Sequence, residues 1–248
     1  MKFFLAPMQG LTGYTVRNAF HHHFDYIDKY YTPFIPAAKR MNAKIKRDID
    51  PVNNDGITLI PQAMSIVADE VIDLHRQLVP YGYDEINVNL GCPSGTVVSK
   101  KRGSGILAYP DMLDSFLDEL YTKADFPVSI KTRVGFNDDD LWPRLIEIYS
   151  KYPISELTVH PRVQKDFYKN TPRMDDFALA MQKINPDKTT LCYNGDITDT
   201  ESLKALTDRF PDIDEIMIGR GLFANPALIA ELKGISMDKA ELSELSLI

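Results

Sequence analysis

Cysteine is scarce in this chain: among 248 residues only Cys92 and Cys192 carry a thiol. Two cysteines cannot build the disulfide framework of a small secreted domain, and their scarcity fits a reducing cytoplasm. An excess of basic residues is missing too. The formal net charge is −7, so global charge gives nucleic acid no general attraction, although a local basic patch can still carry phosphate contacts. No apolar stretch approaches the roughly 20 residues that span a bilayer. The opening Met1-Lys2-Phe3-Phe4-Leu5-Ala6-Pro7 is too short, and is broken too early by Pro7, to read as a signal peptide. No Gly-rich dinucleotide fingerprint follows the first strand, where Pro7-Met8-Gln9-Gly10 stands instead. No cysteine or carboxylate cluster supports a metal. The run His21-His22-His23 cannot close on one ion from consecutive helical positions, and it reads as a solvated helix end. Asn137-Asp138-Asp139-Asp140 likewise reads as a helix N-terminus.

What is present is alternation. Short β-rich runs begin at Phe3-Phe4-Leu5-Ala6 and Tyr26 to Tyr31, and continue at Thr58 to Ala63, Glu85 to Asn89 and Val128 to Thr132. Glu156 to His160, Thr190 to Asn194 and Glu215 to Gly219 complete the set. Amphipathic stretches lie between them, among them Ala68 to Leu78, Met112 to Tyr121, Leu141 to Tyr149 and Ser202 to Phe210. Asp111 and Asp199 are expected N-caps. About eight βα units in this length predict an α/β fold, a TIM (β/α)8 barrel. A doubly wound sheet is the alternative. The barrel is expected over residues 1–235. The polar segment Met41 to Gly56 reads as a surface excursion. Residues 236–248 form a tail, either one short helix or the stub of something missing.

In such a barrel, chemistry gathers at the carboxyl ends of the strands. Polar residues collect there in this sequence. Gln62 ends the third strand, Asn89 and Cys92 the fourth, Lys131 and Arg133 the fifth, and His160 and Arg162 the sixth. Asn194, Gly195 and Asp196 end the seventh; Gly219, Arg220 and Gly221 end the eighth. A lone Cys92 reads as a buried cysteine closing a strand. In this company it becomes a candidate proton donor or nucleophile, because an unperturbed thiol is mostly protonated at neutral pH. The two Gly-containing endings lie where barrels often hold phosphate, and they point to a phosphorylated cofactor. Lys131 fits the anionic edge of a reduced flavin, Gln62 its hydrogen-bonding edge, and His160 the same cofactor.

The motifs Leu5-Ala6-Pro7-Met8, Asn89-Leu90-Gly91-Cys92-Pro93, Gly103-Ser104-Gly105-Ile106-Leu107 and Lys131-Thr132-Arg133 stand in order along the chain. Val159-His160-Pro161-Arg162, Asn194-Gly195-Asp196-Ile197 and Ile218-Gly219-Arg220-Gly221 follow them. Together they resemble the tRNA-dihydrouridine synthases, FMN-dependent barrel oxidoreductases. The resemblance implies that NADPH reduces FMN and that hydride passes from flavin N5 to C6 of a uracil in tRNA. Cys92 would then protonate C5. It further implies that Asn89, Arg162 and Tyr168 meet the uracil, and that Gln62, Lys131 and His160 contact the flavin. Asn194, Gly195, Asp196, Gly219 and Arg220 would hold its phosphate end, with Pro7 and Met8 along the ring. Lys39, Arg40, Lys100, Lys101 and Arg102 are candidates for the RNA backbone or an ordinary solvated face. The chain departs from the family at Thr32-Pro33-Phe34, where an acidic residue is usual, and in ending at Ile248, before most of the family's C-terminal helical domain. The expectation is a cytoplasmic monomer without metal. A flavin-dependent reductase of a small pyrimidine or enone is the second reading, and a non-catalytic flavin-binding barrel the third.

Overall fold

The computed structural model describes residues 1–24, 26–37 and 40–235. Ten short, largely buried β-segments join into one parallel ladder. They are β1 (Lys2–Leu5), β2 (Lys29–Tyr31), β3 (Ile35–Pro36), β4 (Leu59–Ile60) and β5 (Gln62–Met64), then β6 (Ile86–Leu90), β7 (Val128–Gly135), β8 (Glu156–Val163), β9 (Thr190–Tyr193) and β10 (Glu215–Ile218). Two barrel strands are split. Pro61 has no N–H for the ladder and separates β4 from β5, while Thr32-Pro33-Phe34 separates β2 from β3. Thr32 bridges the two breaks, its hydroxyl accepting the Gln62 N–H at 2.9 Å.

With the split strands rejoined there are eight, and the sheet closes. Tyr30 and Tyr31 pair with Leu59 and Ile60, and Gln62 with Asn87 on the other side. At the seam β1 pairs with β10, Phe3 opposite Ile216 and Leu5 opposite Ile218. The TIM-barrel expectation therefore holds. Phe4, Ala6, Tyr31, Ile60, Cys192 and Met217 form a cluster inside the barrel. Their chain neighbours Phe3, Leu5, Tyr30, Leu59, Ile216 and Ile218 belong to the larger core under the helices.

The helices cover that outer core with one apolar face each. The helix α1 (Tyr14–His23) follows β1, and α2 (Ala43–Ile49) precedes β4. Helix α3 (Ala68–Leu78) buries Ala68, Val71, Ile72, Leu74, His75 and Leu78, a spacing of three and four. Each Leu or Ile fully buried in this way contributes about 1.5–3 kcal/mol. After α4 (Gly95–Val98), α5 (Pro110–Lys123) starts with Pro110 at its first turn. Asp111 lies inside that turn and Tyr109 takes the cap position, so Asp111 is not the N-cap: Pro110 fixes the helical φ one residue earlier. Helices α6 (Trp142–Tyr149), α7 (Met174–Lys183) and α8 (Thr200–Arg209) continue the ring. Asp199 does cap α8, accepting from Ser202 N at 2.7 Å. Short α9 (Arg220–Ala224) and α10 (Leu228–Leu232) follow β10. Among the described residues no helix is long and apolar enough to cross a membrane. The expected tail, 236–248, and Lys39 lie outside the described residues.

Met41 to Gly56 is more than a surface excursion. Arg17 of α1 is fully buried beneath it. The guanidinium donates to Asp48 O at 2.6 Å, to Asn54 Oδ1 at 2.9 Å and to Thr12 O at 2.8 Å, and pairs with the Asp48 carboxylate at 3.3 Å. Thr12 in turn accepts the Met8 N–H at 2.9 Å. Arg17 thus ties this segment and the loop after β1 to one helix. Arg17→Leu takes the guanidinium donors from Asn54 Oδ1 and Thr12 O, leaves Asp48 O with Asn54 Nδ2, and is expected to cost about 3 kcal/mol of stability. Chemical denaturation checks it; a midpoint equal to wild type refutes the anchor.

Candidate active site

In β6 the apolar Ile86, Val88 and Leu90 join the outer core, so Asn87 and Asn89 face the barrel interior. Buried amides there must find partners. They find one another. Asn87 donates to Ser129 Oγ at 3.0 Å, Gln62 to Asn87 Oδ1 at 2.8 Å, and Asn89 to Gln62 Oε1 at 2.7 Å. The chain ends on the Cys92 turn, where Asn89 Oδ1 accepts from Gly91 N at 3.1 Å and Cys92 N at 2.9 Å.

The carbonyls of the same turn are held from three other elements. Gly91 O accepts from Arg133 Nε at 3.0 Å. Cys92 O accepts from Ser104 N at 3.1 Å and Ser104 Oγ at 2.9 Å. Pro93 O accepts from Gln164 Nε2 at 2.9 Å. Gly103, before Ser104, has φ +55°, and a Cβ there would stand 2.8 Å from Cys92 O. Both facts demand glycine. The turn is therefore fixed by its backbone, and none of these bonds uses the Cys92 side chain. Burial pushes the thiol pKa up; an N–H bond from Ser94 and the cations Arg133 and Lys131 oppose the shift without cancelling it. The thiol is therefore protonated at neutral pH.

Cations gather across the mouth. Lys131, on β7, donates to Asn194 Oδ1 at 2.6 Å, and Asn194 donates to Met217 O at 2.8 Å. Among the described residues no carboxylate pairs with Lys131. Desolvation, then repulsion by Arg133, lowers its pKa to about 7. Arg133, largely through desolvation, falls to about 10 and remains charged. The β7–β8 register shifts between Arg133 and Gly135, leaving Pro161 and Arg162 as the bulged stretch. Bulges of this kind re-aim side chains beside sites. Arg162 is buried, donating to Asp196 Oδ2 at 2.5 Å, Asn170 O at 2.8 Å and His160 Nε2 at 3.1 Å. Since Nε2 accepts, the His160 proton sits on Nδ1. Burial, with Arg133, Lys131, Arg162 and Arg220 adding repulsion, holds His160 far below the usual imidazole range, so it is neutral.

Arg220 also reaches Asp196, at 2.7 Å, and donates to Tyr168 O at 3.3 Å. The Tyr168 ring has Arg220 at 5.0 Å, Arg133 at 5.7 Å and the His160 ring at 6.5 Å. Met8 completes the circuit: its Sδ lies 3.7 Å from where a Gly219 Cβ would stand.

Sequence comparison decides the family. The profile described as Dihydrouridine synthase (Dus) matches residues 4–245. The chain belongs to the dihydrouridine synthase family. It is 27% identical over 243 residues to "tRNA-dihydrouridine synthase B" of Pasteurella multocida, covering 94% of this chain and 69% of that protein. It is 34% identical over 154 residues to a "Probable tRNA-dihydrouridine synthase" of Staphylococcus aureus, covering 60% of this chain and 46% of the relative. Against that second relative the match spans about half its length. Two solved structures share the fold. Morphinone reductase superposes with TM-score 0.63 at 11% identity over 97% of this chain and 88% of that one. The 3-hexulose-6-phosphate synthase of Salmonella typhimurium gives 0.57 at 15% identity, over 95% and 96%.

In this dihydrouridine synthase family member the expected site residues fall into three joined groups. Gln62, Asn89 and Cys92 share one hydrogen-bond chain; Lys131 and Asn194 share another. His160, Arg162, Asp196, Arg220 and Tyr168 form the third; Gly195 and Gly219 are chain neighbours of its members, and Met8, next to Pro7, lies against Gly219. The rim cations fare differently. Arg102 is paired with Glu70 at 3.1 Å, and Lys101 lies 4.4 Å over the Tyr109 ring. Arg40 and Lys100 are exposed. Two residues escaped the sequence reading. Gln164 gave no signal, lying past a strand end in an irregular stretch, while Ser104 sat inside a quoted motif without a role. Among the described residues no group of three or more His, Cys, Asp or Glu is placed to hold a metal.

Proposed function

We propose that this chain reduces uridine to 5,6-dihydrouridine in tRNA, with FMN held in the barrel mouth and NADPH as the reductant. The observation that carries the reading is the protonated, half-buried thiol of Cys92 on a fixed turn that shares its mouth with Lys131 and neutral His160.

The residues present fit FMN. Lys131 has an amide partner and, among the described residues, no carboxylate beside it, so an anionic ring edge would supply the counter-charge. Gln62 spends one N–H and one lone pair on Asn87 and Asn89, and has one of each left over. Asp196 is offset by Arg162 and Arg220, which leaves the mouth cationic and suited to phosphate. Gln62, Lys131 and His160 would hold the ring, Pro7 and Met8 its side, and Asn194, Gly195, Asp196, Gly219 and Arg220 the ribityl phosphate. When bound, FMN supplies the hydride for uracil C6.

The chain's own residues do the rest. A uridine leaves the RNA stack to reach the mouth. Asn89, Tyr168 and Arg162 orient its ring. Cys92 Sγ then delivers its proton to C5, quenching the enolate-like charge that hydride addition leaves on the uracil. Lys131 and Arg133 act where water is largely displaced, so their charge counts for more than at the surface.

The test is an anaerobic flavin spectrum. The reduced protein is mixed with an unmodified tRNA transcript, and the oxidised FMN bands are expected to return. A flavin that stays reduced with transcript, yet is reoxidised by a free pyrimidine, would replace tRNA by a small substrate. A protein that carries no flavin would defeat the cofactor assignment.

A further inference from the structure

We propose that the loop between β8 and α7 is a platform for single-stranded RNA, on which Phe167 stacks the base next to the target uridine. The inference rests on the proposed function and adds a contact to it. The loop reads Lys165-Asp166-Phe167-Tyr168-Lys169, two aromatics between two lysines. Single-stranded nucleic acid is bound in this way, by base stacking on aromatic faces with cations along the backbone.

Phe167 is 46% exposed and Tyr168 50%. Tyr168 is held by Arg133 and Arg220 beside His160. Phe167 has no such company: among the described residues it makes no ring contact and is no part of the apolar core. Its backbone is nonetheless in the left-handed region, φ +51°, which among the described residues only one other non-glycine residue enters. Strained backbone of this kind persists where the surroundings over-determine it, and it gathers at functional sites.

The surroundings here are explicit. Arg133 donates to Phe167 O at 2.8 Å, and Phe167 N donates to Gln164 O at 3.1 Å. Asp166, buried, accepts from Val163 N at 3.0 Å and Asn170 Nδ2 at 2.6 Å, and pairs with Arg173. The loop is thus preformed, and its exposed ring loses little freedom on meeting a base. Arg133 and Gln164 also hold Gly91 O and Pro93 O. The same two side chains therefore set the platform and the Cys92 turn in register. Lys165 and Lys169 are exposed and, among the described residues, enter no ion pair, so phosphates are their complement.

The test uses the FMN-loaded full chain, an unmodified tRNA transcript and a short oligouridylate. Phe167→Ala is expected to weaken binding of both by about five- to a hundredfold, and to raise KM for the transcript in proportion while kcat at saturation changes little. Phe167→Trp, which keeps a stacking face, restores both. Lys165→Gln and Lys169→Gln each lower the salt dependence of binding by about one unit of slope. Equal Kd and KM for F167A and wild type overturn the platform, and so does a tryptophan variant no better than alanine. If wild type is reoxidised by transcript and F167A behaves identically, only the platform fails and a protein partner for the loop becomes the rival. If wild type itself is not reoxidised, the function on which the platform rests has failed.

Discussion

Cys92→Ala is expected to slow transcript-driven reoxidation of the flavin by about 10²–10⁴-fold, the usual worth of a positioned general acid. The variant is a clean one. The turn is held by Asn89, Arg133, Ser104 and Gln164 through backbone N–H and C=O groups, none of which belongs to the thiol. Flavin content and the NADPH half-reaction are therefore expected to persist while the uracil half-reaction collapses. The pH profile follows from the direction of the Cys92 shift. Burial raises the thiol pKa, so the proton is present throughout the neutral range and is lost only as alkaline pH ionises the thiol. Wild-type turnover with transcript should fall on the alkaline side, and Cys92→Ala should lack that limb. Dihydrouridine formed at wild-type rate by the alanine variant would remove Cys92 from the mechanism.

The barrel was legible because its signal is local. Apolar residues run unbroken in Phe3-Phe4-Leu5 and Ile216-Met217-Ile218, as in a parallel strand covered on both faces, and α3 repeats its apolar residues at helical spacing. The strand-end rule then placed Gln62, Asn89, Lys131, His160 and Asn194 at one mouth. The contacts that fix the geometry were not legible, because they join residues distant in sequence. Arg17 is an exposed-looking cation in a helix pattern, yet it is buried by Asp48 and Asn54, more than thirty residues away. Gln164 reaches Pro93 across 71 residues, and no pattern of either segment announces it. Asp111 misled for a local reason: proline beside it had already set the helix start. The split at Pro61 was present in the letters, but proline alone does not tell a broken strand from a loop; the ladder partners Tyr31 and Asn87 on either side decide it.

Flavin affinity is expected to fall by up to about tenfold per pH unit above neutrality, and Lys131→Met to abolish that dependence. In the protein alone Lys131 titrates at about 7, because burial and Arg133 penalise its charge and no carboxylate compensates among the described residues. An anionic flavin edge beside Nζ favours the charged form, so binding raises the lysine pKa and takes up a proton. Between about 7 and the raised value the free protein must acquire that proton from solution, and each unit of pH makes this less favourable. Stability without cofactor runs the other way. The unfolded chain, with an ordinary lysine pKa of about 10.4, binds more protons than the folded one in this window, so Lys131 lets stability rise with pH through it. Two opposed pH dependences from one side chain give the assignment a signature that a merely structural lysine lacks. Lys131→Met should bind FMN more weakly at neutral pH, with affinity nearly level as pH rises, and its thermal stability without flavin should lose the alkaline gain. Fluorescence titration with FMN and thermal melts of the stripped protein, both across this range, read the two effects separately. Parallel profiles for variant and wild type in the titration would move Lys131 away from the anionic edge, whatever the melts show.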